Sequence, residues 1–441
     1  MKNNNSFIDK FSMVAGKIGQ QRHLGAIRDG FISLMPLMIV GSLVTLINNF
    51  PIGTGKNPDR QLLKQLLAES KWTSWIAELN GDVWWGTFGM LSILACITIS
   101  YYLAKHYEAD RITCAIVALA SFLSAVPQMA VLSEDAAGWG FINYKYTNAS
   151  GLFVAIAVAL ISTEIFVRLA RSKKLIIKMP EGVPPAVSKS FAALLPGMLT
   201  VLIITFLTGM VKVFAENNLF DLISETVLGP LGKASGSLGF GLIIVFFTHL
   251  LWSFGIHGPN IFEGLLQPLN ALAIENNLAL IEAGAKEGFT IFSKSFVDAF
   301  VYMGGSGVGL GLVIAILIVS KSKQTRMIGQ LGAAPGLFNI NEPVIFGLPI
   351  VLNPIFIIPF ILAPVISLCI AYGATVIGFL PVVRAIIPWT TPPILSGLFA
   401  TGFAWQGPVI QVINLAISIL IYLPFVKVAD NMELKKERGE A

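Results

Sequence analysis

Residues 191–213 read FAALLPGMLTVLIITFLTGMVKV, and the one ionisable side chain among them, Lys212, stands at the far end. A helix that is apolar on every side has no face to offer water, and about 20 such residues cross the hydrocarbon core of a bilayer. Runs of the same kind recur at 30–50, 84–104, 112–132, 150–170, 237–256, 296–320, 353–379 and 406–426. The composition agrees with them. Of 441 residues, 55% are hydrophobic and 12% charged, with a mean hydropathy of +0.75, whereas a soluble surface needs about 25% charged residues. A cytosolic enzyme is excluded. At about 20 residues per crossing, the apolar share suffices for roughly ten spans and leaves little for an extramembrane domain. The fold expected is therefore an all-α integral membrane protein with about ten transmembrane helices.

The net charge of +5 resembles a nucleic-acid signal until its residues are located between the apolar runs. Cytoplasmic loops are enriched in lysine and arginine. Basic residues precede the first run (Lys2 to Arg28) and follow the second (Lys105, Arg111), the fourth (Arg168 to Lys178), the seventh (Lys321, Lys323, Arg326) and the last (Lys427 to Arg438). Both termini are expected in the cytoplasm of a bacterial cell, with lipid and not nucleic acid as the surrounding partner. The loop 51–83 mixes lysines with acids and carries Trp72 and Trp75, with Trp84 and Trp85 directly after it, an aromatic belt that places it outside. Residues 6–23 set Phe7, Phe11, Val14 and Ile18 on one helical stripe, suited to an anionic membrane face or to docking on the protein itself. The N-terminus lacks the compact apolar core of a signal peptide. Cys96, Cys114 and Cys369 lie in apolar runs without CxxC spacing and read as core residues, neither a disulfide framework nor a metal site.

Three stretches break the pattern. Residues 257–295 hold Gly258, Pro259, Pro268 and several charges, too broken for one clean span, and 327–350 and 381–403 are apolar but studded with glycine and proline. Irregular backbone survives at membrane depth only when buried in protein or lining a cavity, so re-entrant or broken segments are expected in the C-terminal half. The organisation expected is an amphipathic segment at 1–28, a scaffold half at 29–171, a basic linker at 172–190, a substrate half at 191–428 and a tail at 429–441. The scaffold boundary falls within the fifth helix.

Chemistry is expected where polar groups meet those breaks. Gly53-Thr54-Gly55-Lys56 lacks the spacing and hydroxyl of a Walker A loop, and Gly305 and Gly309 suit close helix packing. His257, in Trp252-Ser253-Phe254-Gly255-Ile256-His257-Gly258-Pro259-Asn260, stands where a helix breaks; it either faces a cavity or satisfies helix-end carbonyls. His249, inside an unbroken run, reads as a core histidine. The sharpest feature is Gly336-Leu337-Phe338-Asn339-Ile340-Asn341-Glu342-Pro343-Val344-Ile345-Phe346-Gly347-Leu348-Pro349. An ionisable residue at membrane depth is costly and signals function, and Glu342 between amides can hold sugar hydroxyls or act as a base. Asp298 reads as a site residue or a network partner, Glu164 as the partner of Arg168, and Trp389 as a sugar-stacking ring or an interfacial anchor.

The sequences FGIHGPN at 254–260, AFVYMGGSG at 299–307 and NEPVIFGLP at 341–349 resemble the membrane-spanning IIC component of the phosphoenolpyruvate-dependent sugar phosphotransferase system, in its lactose, cellobiose and diacetylchitobiose branch. The resemblance covers essentially the whole chain. It implies a homodimer formed by the first five helices and a substrate half that moves as a unit. It also implies inward transport of a β-linked disaccharide whose 6-hydroxyl is phosphorylated by a cysteine-bound phosphoryl group on a separate IIB protein, itself charged by IIA and the general phosphotransferase proteins. Glu342 and His257 are then the catalytic residues, and Asn260, Asn339, Asn341, Trp389 and Asp298 bind substrate, with no metal and no cofactor. A proton-coupled sugar symporter would use the same glutamate to carry protons, whereas a membrane scaffold without transport would need none of these polar residues.

Overall fold

The computed structural model describes residues 21–48, 51–52, 61–62, 71–133, 136–177, 179–180, 182–348, 350–351 and 353–438. Of the amphipathic stretch at 6–23 only the last three residues are among them, and of the loop 51–83 the stretches 53–60 and 63–70 are not. The described chain is mostly helical, with two small antiparallel hairpins, β1 (Pro51–Ile52) with β2 (Gln61–Leu62) and β3 (Met129–Ser133) with β4 (Ala136–Trp139). Six helical stretches are long and apolar enough to cross a bilayer: Arg22–Thr45, Ser74–His106, Ala149–Ala170, Val187–Phe214, Pro354–Val376 and Gln406–Lys435. Shorter apolar helices cover Arg111–Ala125, Leu238–Ser253 and Gly309–Val319. The molecule is thus a helical membrane protein.

Two compact units make up the chain. The first comprises Gln20–Gly41 and Gly81–Leu231. It contains the start of α1 (Arg22–Asn48), the end of α2 (Lys71–Thr87), then α3 (Leu91–His106), α4 (Arg111–Ala125), α5 (Leu152–Ala170), α6 (Pro185–Phe214) and α7 (Leu219–Ile223). Lipid is as apolar as a helix face, so these helices associate by close packing and not by exclusion of water. Small residues supply the fit: Ala95 and Ala104 of α3, Ala115 and Ala118 of α4, and Ala155 and Ala159 of α5 are all buried. The hydroxyls of Ser100 and Thr163 bond across α3 and α5 at 2.6 Å. Glu164 pairs with Arg168 one turn on at 3.1 Å, as its spacing requires. It also meets His23 of α1 at 2.8 Å and accepts from the Tyr107 hydroxyl. α6 packs on α4 and α5 and so belongs to this unit.

The second unit holds Ser42–Asn80 and Gly232–Ala441. Its elements run from α8 (Gly229–Ser235), cut by the unit boundary, through α9 (Leu238–Ser253), α10 (Gly258–Glu282), α11 (Lys294–Phe300), α12 (Gly309–Val319) and α13 (Lys323–Leu337) to α14 (Glu342–Gly347), α15 (Pro354–Val376), α16 (Leu395–Ala400) and α17 (Gln406–Glu437). Its core sets Val313 and Ile316 of α12, Ile345 of α14, Phe356 and Phe360 of α15, and Tyr422 of α17 together with Trp252. The Asp430 carboxylate of α17 accepts the backbone N–H groups of Lys321 at 2.7 Å and Ser322 at 3.0 Å, capping the entry to α13.

Three sequence expectations change here. The run 296–320 is two helices and not one, because residues 301–308 turn through Gly304, Gly305 and Gly307 at positive φ. Hydropathy does not register such a turn, since its residues are as apolar as the helices beside it. Gly305 therefore serves a turn and not helix packing. Conversely, 258–282 forms one continuous helix of 25 residues, about 37 Å long at 1.5 Å per residue, with Pro268 inside it. Pro259 is harmless in the first turn, where the missing N–H has no helical partner; the break lies before it, at 254–257. Third, Cys96 and Cys114 are buried, but Cys369 is exposed on α15 and is no core residue. The stretches 327–350 and 381–403 are broken as expected, the latter entering α16 from a non-helical segment at 377–394.

Gly30 of α1 faces α3 so closely that a Cβ would lie 3.1 Å from the backbone nitrogen of Ile99, whereas a Cβ at Gly81 meets nothing within 4 Å. Gly30→Ala is expected to cost about 1–3 kcal/mol through overpacking, and Gly81→Ala to be neutral or slightly stabilising. Thermal unfolding of the detergent-purified variants checks the contrast.

Candidate functional site

α9 ends at Ser253, and Gly255 turns the chain at a φ of +79° before His257 caps α10. Gly258 allows this crossing, because a Cβ there would strike the Thr248 backbone, its carbonyl above all. The imidazole accepts the Asn260 backbone N–H through Nδ1 at 3.3 Å and packs against the Trp252 indole with ring centroids 4.7 Å apart. The Asn260 residue itself is exposed. The ring caps the N-terminus of α10 by accepting an N–H, and so does not satisfy helix-end carbonyls, one of the two sequence expectations; it packs on Trp252 at the break. His249 is fully buried in α9, with Nδ1 against the Val245 carbonyl at 2.6 Å and its ring edge-on to Tyr302 and Phe360. It is the core histidine of the pair.

The Glu342 segment is built by its asparagines. Asn339 adopts the left-handed conformation, φ +62°, that asparagine tolerates better than most residues. Its Oδ1 accepts the Gly304 N–H at 2.7 Å, and its Nδ2 donates to the carbonyls of Trp389 at 2.5 Å and Thr391 at 3.0 Å. Asn341 donates from Nδ2 to the Ser306 carbonyl, while its own carbonyl accepts Val344 and Ile345 to start α14. Gly305 leaves room for this: a Cβ would lie 2.7 Å from both the Asn339 carbonyl oxygen and Asn341 Cγ. Both amides are buried. They tie three broken segments, 301–308, 338–341 and 389–391, to one another through main-chain atoms.

Glu342 opens α14 and is half-buried. Among the described residues nothing hydrogen-bonds or ion-pairs with its carboxylate. Phe346, one turn along α14, lies against Trp252 with centroids 6.3 Å apart, so a single indole touches both His257 and the helix that carries Glu342. Trp252 is only 4% exposed, and its Nε1 has no hydrogen-bond partner among the described residues. Trp389 is bound to Asn339 by its backbone, and its ring is exposed. Asp298 sits elsewhere in the unit's interior: its Oδ2 is 2.6 Å from Lys294 Nζ, which is also 3.8 Å from Glu263 Oε1. Asp298 is thus a network partner. No three histidine, cysteine or acidic residues converge among those described.

Several residues of this region escaped the sequence reading. Trp252 was part of the quoted segment but carried no role; Lys294, four before Asp298, carried the i,i+4 signal of an ion pair. Glu263 fell in the stretch read as broken.

A bundle of apolar helices interrupted by hydrogen-bonded breaks, with the Glu342 carboxylate unpaired among the described residues one turn from Phe346, has the make-up of a membrane permease. The family model described as "Phosphotransferase system, EIIC" matches residues 28–364. The lichenan permease IIC component of Bacillus subtilis is 38% identical over 435 residues, covering 97% of this chain and 94% of that protein. A lactose-specific EIICB component of Staphylococcus haemolyticus is 30% identical over 98% of this chain and 72% of its own. The crystal structure of the transporter ChbC, the IIC component from the N,N'-diacetylchitobiose-specific phosphotransferase system, superposes with a TM-score of 0.90 at 36% identity, covering 99% of this chain and 100% of that one. The chain belongs to the EIIC family of phosphotransferase-system permeases and is a multi-pass protein of the bacterial plasma membrane.

The geometry separates framework from surface. Asn339→Ala leaves an N–H and two carbonyls without their partner and is expected to cost at least about 2 kcal/mol. Asn260→Ala, at an exposed side chain, is expected to leave stability within about 0.5 kcal/mol of the parent. Denaturation in detergent, read by intrinsic fluorescence, checks both.

Proposed function

We propose that this permease carries a β-linked disaccharide inward and presents its 6-hydroxyl to a phosphorylated IIB protein. The unpaired Glu342 carboxylate carries the reading. A carboxylate kept in an apolar bundle without a counter-ion or donor has its hydrogen-bonding capacity open to a ligand, and sugar hydroxyls supply the missing donors. The sugars for which the relatives are named, lichenan, lactose and diacetylchitobiose, are all β-linked, which supports the same class of substrate.

In the proposed reaction Glu342 accepts the proton of the 6-hydroxyl as its oxygen attacks the phosphorus of the IIB phosphocysteine. The new P–O bond forms as the P–S bond breaks, and the cysteine leaves as thiolate. His257 holds the hydroxyl or stabilises charge, oriented by Trp252, and the exposed ring of Trp389 stacks on a sugar face. Asn260 adds a polar contact. Asn339 and Asn341 serve substrate by fixing the Glu342 segment, and Asp298 by its buried network. The product dianion is trapped, since a doubly charged phosphate does not recross hydrocarbon.

Around this site the proposal includes about ten membrane crossings with both termini cytoplasmic, and a homodimer built on the scaffold half at 29–171. The linker at 172–190 leads into the proposed transport half at 191–428, of which α6 and α7 pack with the scaffold helices and the part from Gly232 onward is proposed to move as a unit. The exposed apolar faces, such as Phe206, Val213 and Phe214 of α6, suit lipid or a second copy. IIB receives its phosphoryl group from IIA and the general phosphotransferase proteins.

Glu342→Gln keeps the shape and most hydrogen bonds but loses the base, so sugar binding is expected to persist while phosphorylation falls about 10²–10⁴-fold. Measuring cellobiose binding and phosphoryl transfer from phosphorylated IIB in proteoliposomes checks this. Near-normal transfer by the variant removes Glu342 from the chemistry, and accumulation of free sugar under an imposed proton gradient without IIB makes the protein a symporter.

A further inference from the structure

We infer that Glu263, Lys294 and Asp298 form a positioning brace that holds His257 in register with Glu342, an inference that rests on those two residues acting on one substrate hydroxyl. Lys294 Nζ lies 2.6 Å from Asp298 Oδ2 and 3.8 Å from Glu263 Oε1, and Glu263 Oε1 also accepts Gln267 Nε2 at 2.6 Å. The three charged side chains are 11%, 8% and 13% exposed in the order Lys294, Asp298, Glu263. Buried charges are a poor source of stability, because desolvation offsets their attraction and apolar replacements of like volume often serve as well. Their best-attested use is to fix one arrangement among several.

The arrangement fixed here is traceable bond by bond. Glu263 and Gln267 lie on α10, the helix that His257 caps. Lys294 and Asp298 lie one turn apart on α11, and Asn270 of α10 adds a neutral bond, accepting the Ser295 N–H at 2.9 Å. α11 is a short strut, seven residues long. At its far end Gln411 and Asn414 of α17 hold the carbonyls of Ala299 and Phe300, at 2.6 and 2.9 Å. Beyond them Gly304 and Ser306 bond to Asn339 and Asn341, which precede Glu342. His257 and Glu342 thus stand at the two ends of a path through α10, α11 and the turn 301–308, with the Glu263–Lys294–Asp298 cluster as an ionic link along it among the described residues. Charge suits that link because α10 and α11 are separate elements joined by a non-helical stretch at 283–293, with no continuous helix to set their register.

The full-length permease serves for the test, with phosphorylated IIB and cellobiose as probe. Glu263→Gln keeps the Gln267 bond and the Lys294–Asp298 pair but discharges one arm. Its cellobiose affinity is expected within about threefold of the parent and its KM for phosphorylated IIB unchanged, while kcat falls at least tenfold. Combining it with His257→Ala is expected to add less than a further twofold loss, the non-additivity of coupled residues. A kcat within twofold of the parent, or losses that multiply, overturns the brace. A parent that transfers no phosphoryl group instead sinks the reading of the site, and the brace is then tested without substrate. Spin labels at Leu265 of α10 and Phe338 beside Asn339, in a background freed of Cys96, Cys114 and Cys369, are expected to give a narrow distance distribution that broadens in both Glu263→Gln and Lys294→Met. An unchanged distribution in these variants overturns the brace.

Discussion

A peptide group without a hydrogen-bond partner costs several kcal/mol in hydrocarbon, and a membrane protein that breaks its helices must satisfy every group so exposed. The second compact unit meets this demand with carboxamides, whose donors and acceptor imitate the peptide itself. Gln411 is saturated: its Oε1 accepts Ile394 and Gly397 N–H groups, and its Nε2 donates to the Ala299 carbonyl and the Ser396 hydroxyl. Asn277 closes the carbonyls of Thr290 and Val383 and accepts the Thr290 N–H. Asn339 does the same elsewhere, Asn341 and Asn414 close the carbonyls of Ser306, Phe300 and Ser367, and Tyr422 caps the Gly307 carbonyl at 2.6 Å. The non-helical segments, and with them the candidate site, exist only because these side chains stand in for missing turns of helix.

The same accounting separates the charged residues by what surrounds them. Glu164 is enclosed by His23, Tyr107 and Arg168, and Asp430 by two backbone N–H groups. Asp298 and Glu263 share Lys294. Glu342 has none of this company. In a low-dielectric setting a compensated charge holds structure together, whereas an uncompensated one marks a place where the partner arrives from outside.

Much of this was legible in the sequence, and the reasons differ residue by residue. Membrane residence follows from composition alone. The breaks at 338–341 and 377–394 announce themselves through proline and glycine in apolar runs, and the isolation of Glu342 matches an acid placed far from any basic residue in its own segment. The turn at 301–308 was invisible to hydropathy, because glycines in αL conformations are as apolar as those in a packed helix. α10 was hidden for the opposite reason: its acids and Pro268 resemble a loop until tertiary partners, Lys294 among them, neutralise the charges. The asparagines were conspicuous in type but not in role, since nothing in a one-dimensional pattern distinguishes an amide that meets sugar from one that meets the main chain fifty residues away.

That last distinction bears on how such a permease diversifies. The clamps made by Asn339 and Gln411 grip mostly carbonyls and N–H groups of the segments around 389–397, atoms that every residue type brings to its position. Apart from the Ser396 hydroxyl, which Gln411 also bonds, the side chains of those segments take no part in these clamps. Substitutions at 389–397 can therefore change the surface these segments present while the backbone clamps that hold them stay in place.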